Sequence, residues 1–405
     1  MTDPGALLFQ LFTPAGRANP YPIYAQLRET AAVIKSPLGG YMVTRYEHVD
    51  RMLRSHAFRT PRGYRDANDP AGPPMYDPDG LLTLHRRNWI LFQSGEPHTR
   101  LRKLIMKVFT PRAVRTLAPK IDALVDELIA PARARGSMEV IQELAYPLPA
   151  TVICELLGIP AADRERNRAW AEVVATTIDP MSTPEQRATA ERAMAEWDPY
   201  IRALLADRRK HPGTALLDDL LAVEEAGMKL TEDEIAANAT FLFIAGHETT
   251  TGLIGNGLYA LLRHPEQLAA LRATPAMIEN AVEELLRFDS PVQFASRVAI
   301  EPLELEGVTF EKEVPLMISL GSANHDPRRF ERPDELDLAR PDPRPISFGG
   351  GAHFCVGAAL ARLETQAALG KLVDQCPKIE LVREPTWRAL LALRGLSALD
   401  VTLSS

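Results

Sequence analysis

Apolar positions recur every three to four residues along most of the chain, the period of a helix that buries one face. Strand-like alternation is confined to residues 41–44, 292–300, 303–320 and 390–403, so the pattern predicts a mainly α protein with small β-sheets. The longest helix is expected over 231–263, opened by the capping box of Thr231 and Glu234 and closed before Pro265. At 1.5 Å per residue such a helix spans about 50 Å. Residues 239–244 are apolar nearly all round, apart from Thr240, which predicts a path through the interior. The pattern then breaks. Ala245-Gly246-His247-Glu248-Thr249-Thr250-Thr251 sets small residues, an acid and three threonines in mid-helix, where propensity disfavours both glycine and threonine. A local rule broken inside a core helix points to function. Another helix is expected to open at Thr274-Pro275. Its period puts Ile278, Ala281, Val282 and Leu285 on the apolar side and Glu284 and Arg287 opposite, as an exposed, weak ion pair. Between residues 61 and 80, five prolines and three glycines predict an irregular loop, suited to binding as well as to connecting.

The 405 residues are 46% hydrophobic and 24% charged, an ordinary globular balance that excludes disorder and fibrous repeats. No low-complexity linker divides the chain, so one large domain, 1–405, is expected. A net charge of -7 argues against nucleic acid as a partner. The first residues lack a basic stretch, and the apolar run at 241–245 is far short of the roughly 20 residues a membrane span needs. A cytoplasmic protein without a membrane anchor is expected. Cys154, Cys355 and Cys376 are too few and too scattered for a disulfide framework or a zinc site.

One cysteine has distinctive neighbours. In Phe348-Gly349-Gly350-Gly351-Ala352-His353-Phe354-Cys355-Val356-Gly357, glycines build a turn immediately before a helix-like stretch, whose first amides point toward the sulfur and favour its anion. A small apolar residue beside a flexible turn would be the plainer account of a single cysteine. In the long helix, Ala245 and Gly246 leave a groove, and Thr249 could forgo bonding one turn back to serve a ligand while Glu248 relays protons. A threonine back-bonded in a merely bent helix is the alternative.

The cysteine segment resembles the haem-binding loop of the cytochrome P-450 family, Phe-Gly-x-Gly-x-His-x-Cys-x-Gly, and Phe348, Gly349, Gly351, His353, Cys355 and Gly357 match every fixed position. The resemblance runs from about Asn19 to the end, through Asn324-His325-Asp326-Pro327 and Arg394-Gly395-Leu396, leaving 1–18 as an N-terminal arm. It departs at Lys312-Glu313, where bacterial members usually have Lys-Gly. It implies the single-domain fold of that family, with haem b between the long helix and the cysteine loop. Cys355 would be the axial iron ligand, and Ala245-Gly246-x-Glu248-Thr249 the oxygen-activating motif with Thr249 and Glu248 catalytic. His247, at the motif's variable position, would serve packing or substrate. His98, Arg102, Arg297 and His353 would hold the haem propionates, with Phe348 beside the loop. Glu284 and Arg287 would be buried and joined by Arg340.

The activity implied is a monooxygenase that inserts one atom of O2 into a hydrophobic small molecule, of natural-product, terpenoid or steroid type. Leu84, Phe92, Phe241, Ile244, Val292, Gln293, Phe294, Ala392 and Leu393 would contact it, from segments that include 81–92 and 171–181. Gln293 and the run His85-Arg86-Arg87 could hold an oxygenated or anionic group. No flavin or dinucleotide motif is visible, so a ferredoxin and its reductase are expected to supply electrons, docking on Arg100, Lys103, Arg344 and Arg362. A monomer is expected. Two other classes stay open: a peroxide-driven haem-thiolate peroxygenase, and a haem sensor or carrier without catalysis.

Overall fold

In the computed structural model, residues 3–36, 39–62, 77, 79–225 and 227–404 are described. Most of the loop expected over 61–80 lies outside them. The helices that matter here are α1 (Leu81–Arg86), α2 (Gly95–Val108), α3 (Arg164–Ala175), α4 (Pro184–Lys210), α5 (Glu232–Arg263), α6 (Ile278–Phe288) and α7 (Ala358–Gln375). The long helix forms where its pattern predicts. Glu234 N–H donates to Thr231 Oγ1 at 3.2 Å and Thr231 N–H to Glu234 Oε2 at 2.9 Å, so the capping box is closed. Of the stretch 239–244, Ala239, Thr240, Phe243 and Ile244 are buried while Phe241 and Leu242 are half-buried, so the interior path holds with one partly open side. α5 crosses one continuous core that reaches from Leu82 to Leu403. It packs closely on α6 and α7: a Cβ on Gly257 would lie 3.2 Å from Leu285 and 3.3 Å from Leu369.

The strands are β1 (Val33–Lys35), β2 (Tyr41–Val43), β3 (Phe58–Arg59), β4 (Ser137–Glu139), β5 (Phe294–Ala299), β6 (Pro315–Ser319), β7 (Lys378–Leu381) and β8 (Asp400–Ser404). A five-stranded sheet has the order β1-β2-β6-β5-β3, with β6 parallel to β2 and antiparallel to β5. A three-stranded sheet has the order β7-β8-β4. The apolar stretch at 303–320 is three strands, because Leu303–Leu305 and Val308–Phe310 form a hairpin turned by Glu306 and Gly307, both at positive φ. Of 390–403 only β8 is a strand. The rest makes isolated bridges, Val292 with Leu393 and Trp387 with Leu396. Segment 81–92 contains α1 and a 3₁₀ turn, Ile90–Phe92, instead of a loop, and the helix expected at Thr274 opens with a 3₁₀ turn, Pro275–Met277.

The expected N-terminal arm is packed down. Helices Pro4–Gln10 and Pro14–Ala18 bury Leu7, Leu8 and Leu11 against Tyr24, Phe294 and Leu391. At the departure from the Lys-Gly pattern the left-handed backbone is kept: Glu313 has φ 63°. Strain on a non-glycine residue there is offset by an ion pair with Arg59 and by Glu313 N–H donating to Ala299 O at 2.8 Å.

Candidate functional site

The cysteine loop is shaped by its own backbone. Gly349 and Gly351 have φ +71° and +62°, and a Cβ on Gly351 would sit 2.5 Å from Leu53 O. Cys355 N–H donates to Phe348 O at 3.0 Å, which sets the sulfur at the head of α7. Burial pushes the thiol pKa up, against the Gly357 and Ala358 amides and the charges of Arg102 and Arg362. The helix start therefore does not by itself make a thiolate. A coordinated metal ion removes that proton outright.

Beside the sulfur, α2, β5 and the loop bring four basic side chains together. The rings of His98 and His353 lie 4.1 Å apart, and His98 Nε2 is buried without a partner. Burial, then the Arg102 charge, brings the His98 pKa down to about 4. Burial, then His98, Arg297 and Arg102, brings His353 to about 3. Burial alone lowers Arg297 to about 10. Arg102 Nη2 donates to Phe354 O at 2.7 Å. Burial lowers all four, the basic neighbours lower the two histidines further, and no carboxylate is among the causes, which makes the cluster a receptor for a ligand carrying negative charge. A thiol under such a cluster fits haem, whose two propionates supply that charge.

Across α5, Thr249 Oγ1 donates to Ala245 O at 3.0 Å, so the back-bond that Thr249 was expected to forgo is present. A Cβ on Gly246 would meet Ile153 at 3.4 Å, an ordinary contact, so Gly246 faces the helix Pro147–Leu157 and does not itself open a groove. His247 is packing: its Nδ1 pairs with Phe243 O at 2.7 Å and its ring lies 5.4 Å from Tyr146. Glu248 is buried and ion-paired with Arg388, a residue no local pattern singled out, since it lies 140 positions along the chain. Burial would raise the Glu248 pKa. His247 and Arg388 outweigh it and hold the carboxyl at about 2. Glu248, Thr249, Thr251, Leu393 and Arg388 line a small cleft with room for about one water.

Glu284 and Arg287 are fully buried, which corrects the exposed placement their spacing suggested. The α6 period was misleading because a third chain segment covers the polar side. Arg287 donates to both Glu284 oxygens at 2.8 Å, Arg340 Nε lies 3.0 Å from Glu284 Oε2, and both guanidiniums donate to Glu335 O. From there Asn324 reaches Ser347 at 2.8 Å and takes Ile346 N–H at 2.9 Å, which anchors the strand entering the cysteine loop.

The expected substrate contacts divide. Phe241 lies 5.3 Å from Trp89, itself stacked on Phe92 at 5.8 Å, and Ile244 packs at an apolar crevice lined by Trp170, Trp197 and Phe243. Val292, Ala392 and Leu393 meet at the bridge and turn beside α5. Leu84 instead faces solvent, 41% exposed. Gln293 is taken up by Tyr24 and Ser290, and Phe294 packs on Tyr24. His85 is held by Asp198 at 2.7 Å, and Arg86 donates to Thr177 O at 3.1 Å. On the cysteine side, Arg100 is paired with Glu234, Arg344 with Asp342 and Arg362 with Glu283, while Phe354 is 41% exposed.

The Cytochrome P450 family profile matches residues 68–274 and 276–380. The chain is 37% identical over 396 residues to cytochrome P450 monooxygenase PikC of Streptomyces venezuelae, covering 95% of this chain and 91% of that one. It is 38% identical over 418 residues to the vitamin D(3) 25-hydroxylase of Pseudonocardia autotrophica, covering 100% and 98%. P450BioI, solved with an acyl carrier protein bearing hexadec-9Z-enoic acid, superposes with a TM-score of 0.91 at 35% identity, over 96% of this chain and 99% of that one. No helix among the described residues is long and apolar enough to cross a membrane.

Proposed function

The chain belongs to the cytochrome P450 family of haem-thiolate monooxygenases, and from that premise we propose that it hydroxylates a hydrophobic small molecule above a haem b held by Cys355, with electrons from a ferredoxin and its reductase. The observation that carries this reading is the cluster of His98, Arg102, Arg297 and His353 around the cysteine loop. When bound, the haem supplies iron for reductive activation of O2, and thiolate donation favours O–O cleavage.

The chain supplies position, dryness and protons. Cys355 would ligate the iron, and the four basic side chains would hold the propionates, whose charge offsets the burial that lowers their pKa values. Phe241 and Ile244, with the aromatic side chains of Trp89 and Phe92, would give the substrate an apolar wall that excludes water. Thr249 rests on Ala245 O, and turning its hydroxyl off that carbonyl lets it pass a proton on the ligand side. Glu248, kept ionised by His247 and Arg388, would orient water in the small cleft toward Thr249, and Arg388, about a third exposed, links that cleft to solvent. The substrate class is that of the relatives: a fused or extended apolar skeleton such as a secosteroid or a long acyl chain.

The reduced protein treated with carbon monoxide should show the red-shifted thiolate band, and Cys355→Ser should lose it. A spin-state titration with secosteroids and with free or carrier-bound fatty acids then assigns the substrate. Turnover with hydrogen peroxide alone, at a rate no lower than with ferredoxin and reductase, would replace this reading with a peroxygenase.

A further inference from the structure

In the connection between α3 and α4, one carboxylate ties the segment to a distant part of the chain. Asp179 is 2% exposed. Its Oδ2 accepts the backbone N–H of Leu391 at 2.6 Å and of Ala392 at 2.8 Å, and its Oδ1 accepts Met181 N–H at 2.8 Å. Among the described residues no cation is paired with it. A buried carboxylate satisfied by amides of another segment fixes that segment, because moving either partner strands buried donors and charge.

The segment so fixed is the turn 391–393, and its remaining bonds lead to the reaction side. Gln293 N–H donates to Ala392 O at 2.9 Å, and Leu393 bridges to Val292. Asn256 Nδ2 of α5 donates to Arg394 O at 3.1 Å. A Cβ on Gly252 would lie 3.0 Å from that same oxygen, so the turn rests directly on α5, three residues beyond Thr249. Leu393 lines the cleft it shares with Glu248 and Thr249.

We propose that Asp179 is a specificity-determining positioning residue: its carboxylate sets the turn 391–393, and with it the placement of Leu393 against Val292 and beside Thr249. This rests on the monooxygenase reading above.

The test is amide exchange on the haem-loaded enzyme, with 1-phenylimidazole as the binding probe. In Asp179→Ala, exchange across 390–393 should accelerate at least tenfold and the probe should bind about tenfold more weakly. Exchange in the strand Lys378–Leu381 should stay unchanged, which a general loss of stability would not allow. Asp179→Asn keeps one carbonyl oxygen for the Leu391 and Ala392 amides and should fall between. If Asp179→Ala does not fold, the unmodified enzyme decides, because the saturating probe should slow exchange at Leu391 and Ala392. Unchanged exchange and affinity in the alanine variant, or no protection in the unmodified enzyme, overturns the proposal. An unmodified enzyme without the thiolate band would refute the haem-thiolate reading, a result separate from the exchange comparison.

Discussion

At Glu248 a buried carboxylate meets His247 from its own helix, Arg388 from the C-terminal segment and the ring of Tyr146 from the segment before helix Pro147–Leu157. Its folded pKa of about 2 lies below the ordinary 4.5, so the stability it contributes is complete above about pH 4.5 and is lost as pH falls toward 2. That contribution is roughly 3 kcal/mol at neutral pH. Arg388→Gln should shrink it, and urea unfolding from pH 7 to pH 3 should show a flatter acid limb than in the unmodified protein. The acid was legible in the sequence because it breaks an apolar helix. Its partner was not, because an ion pair between residues 140 positions apart leaves no periodic trace. The helix period misplaced Glu284 for the same reason, although the resemblance implied the buried pair with Arg340 that is present. A helix period reports which side faces the nearest core, and the segment carrying Arg340 builds a second buried surface over the other side.

Among the elements, the cysteine loop was the most legible, since its glycines carry the geometry in their own type. Two of them should respond differently to the same added methyl. Gly351→Ala meets both a positive φ and the Leu53 carbonyl 2.5 Å away, and should cost more than about 2 kcal/mol and lower the haem content per chain. Gly350→Ala has extended backbone and an ordinary 3.4 Å contact with Leu53, and should leave both unchanged. Thermal unfolding and haem absorbance per chain distinguish them. The small strands were harder to see. β3 has two residues and β4 three, too few for alternation to register, and they exist because β5 and β8 offer them an edge. The segment 390–399 has strand composition yet no ladder, because its backbone bonds go to Asp179, Gln293 and Asn256.

Across the whole molecule, long-range polar ties join regions that the core alone would leave free to slide. Glu284→Ala strands two buried guanidiniums and should destabilise by about 3 to 5 kcal/mol, read as a lowered urea midpoint. Leu8→Ala tests the N-terminal arm: the side chain is fully buried, and its truncation should cost about 2 to 4 kcal/mol. A loss under about 0.5 kcal/mol would mean the arm is not docked in solution. The four basic side chains beside Cys355 carry a consequence for the life of the protein in a cell. A chain that folds around two buried neutral histidines and two arginines without a carboxylate partner among the described residues would gain stability from a dianionic ligand by mass action, so ligand binding would count as folding free energy. On the haem reading, chains made without porphyrin should therefore be cleaved faster by a protease than haem-loaded ones, which limited proteolysis of the two forms would measure.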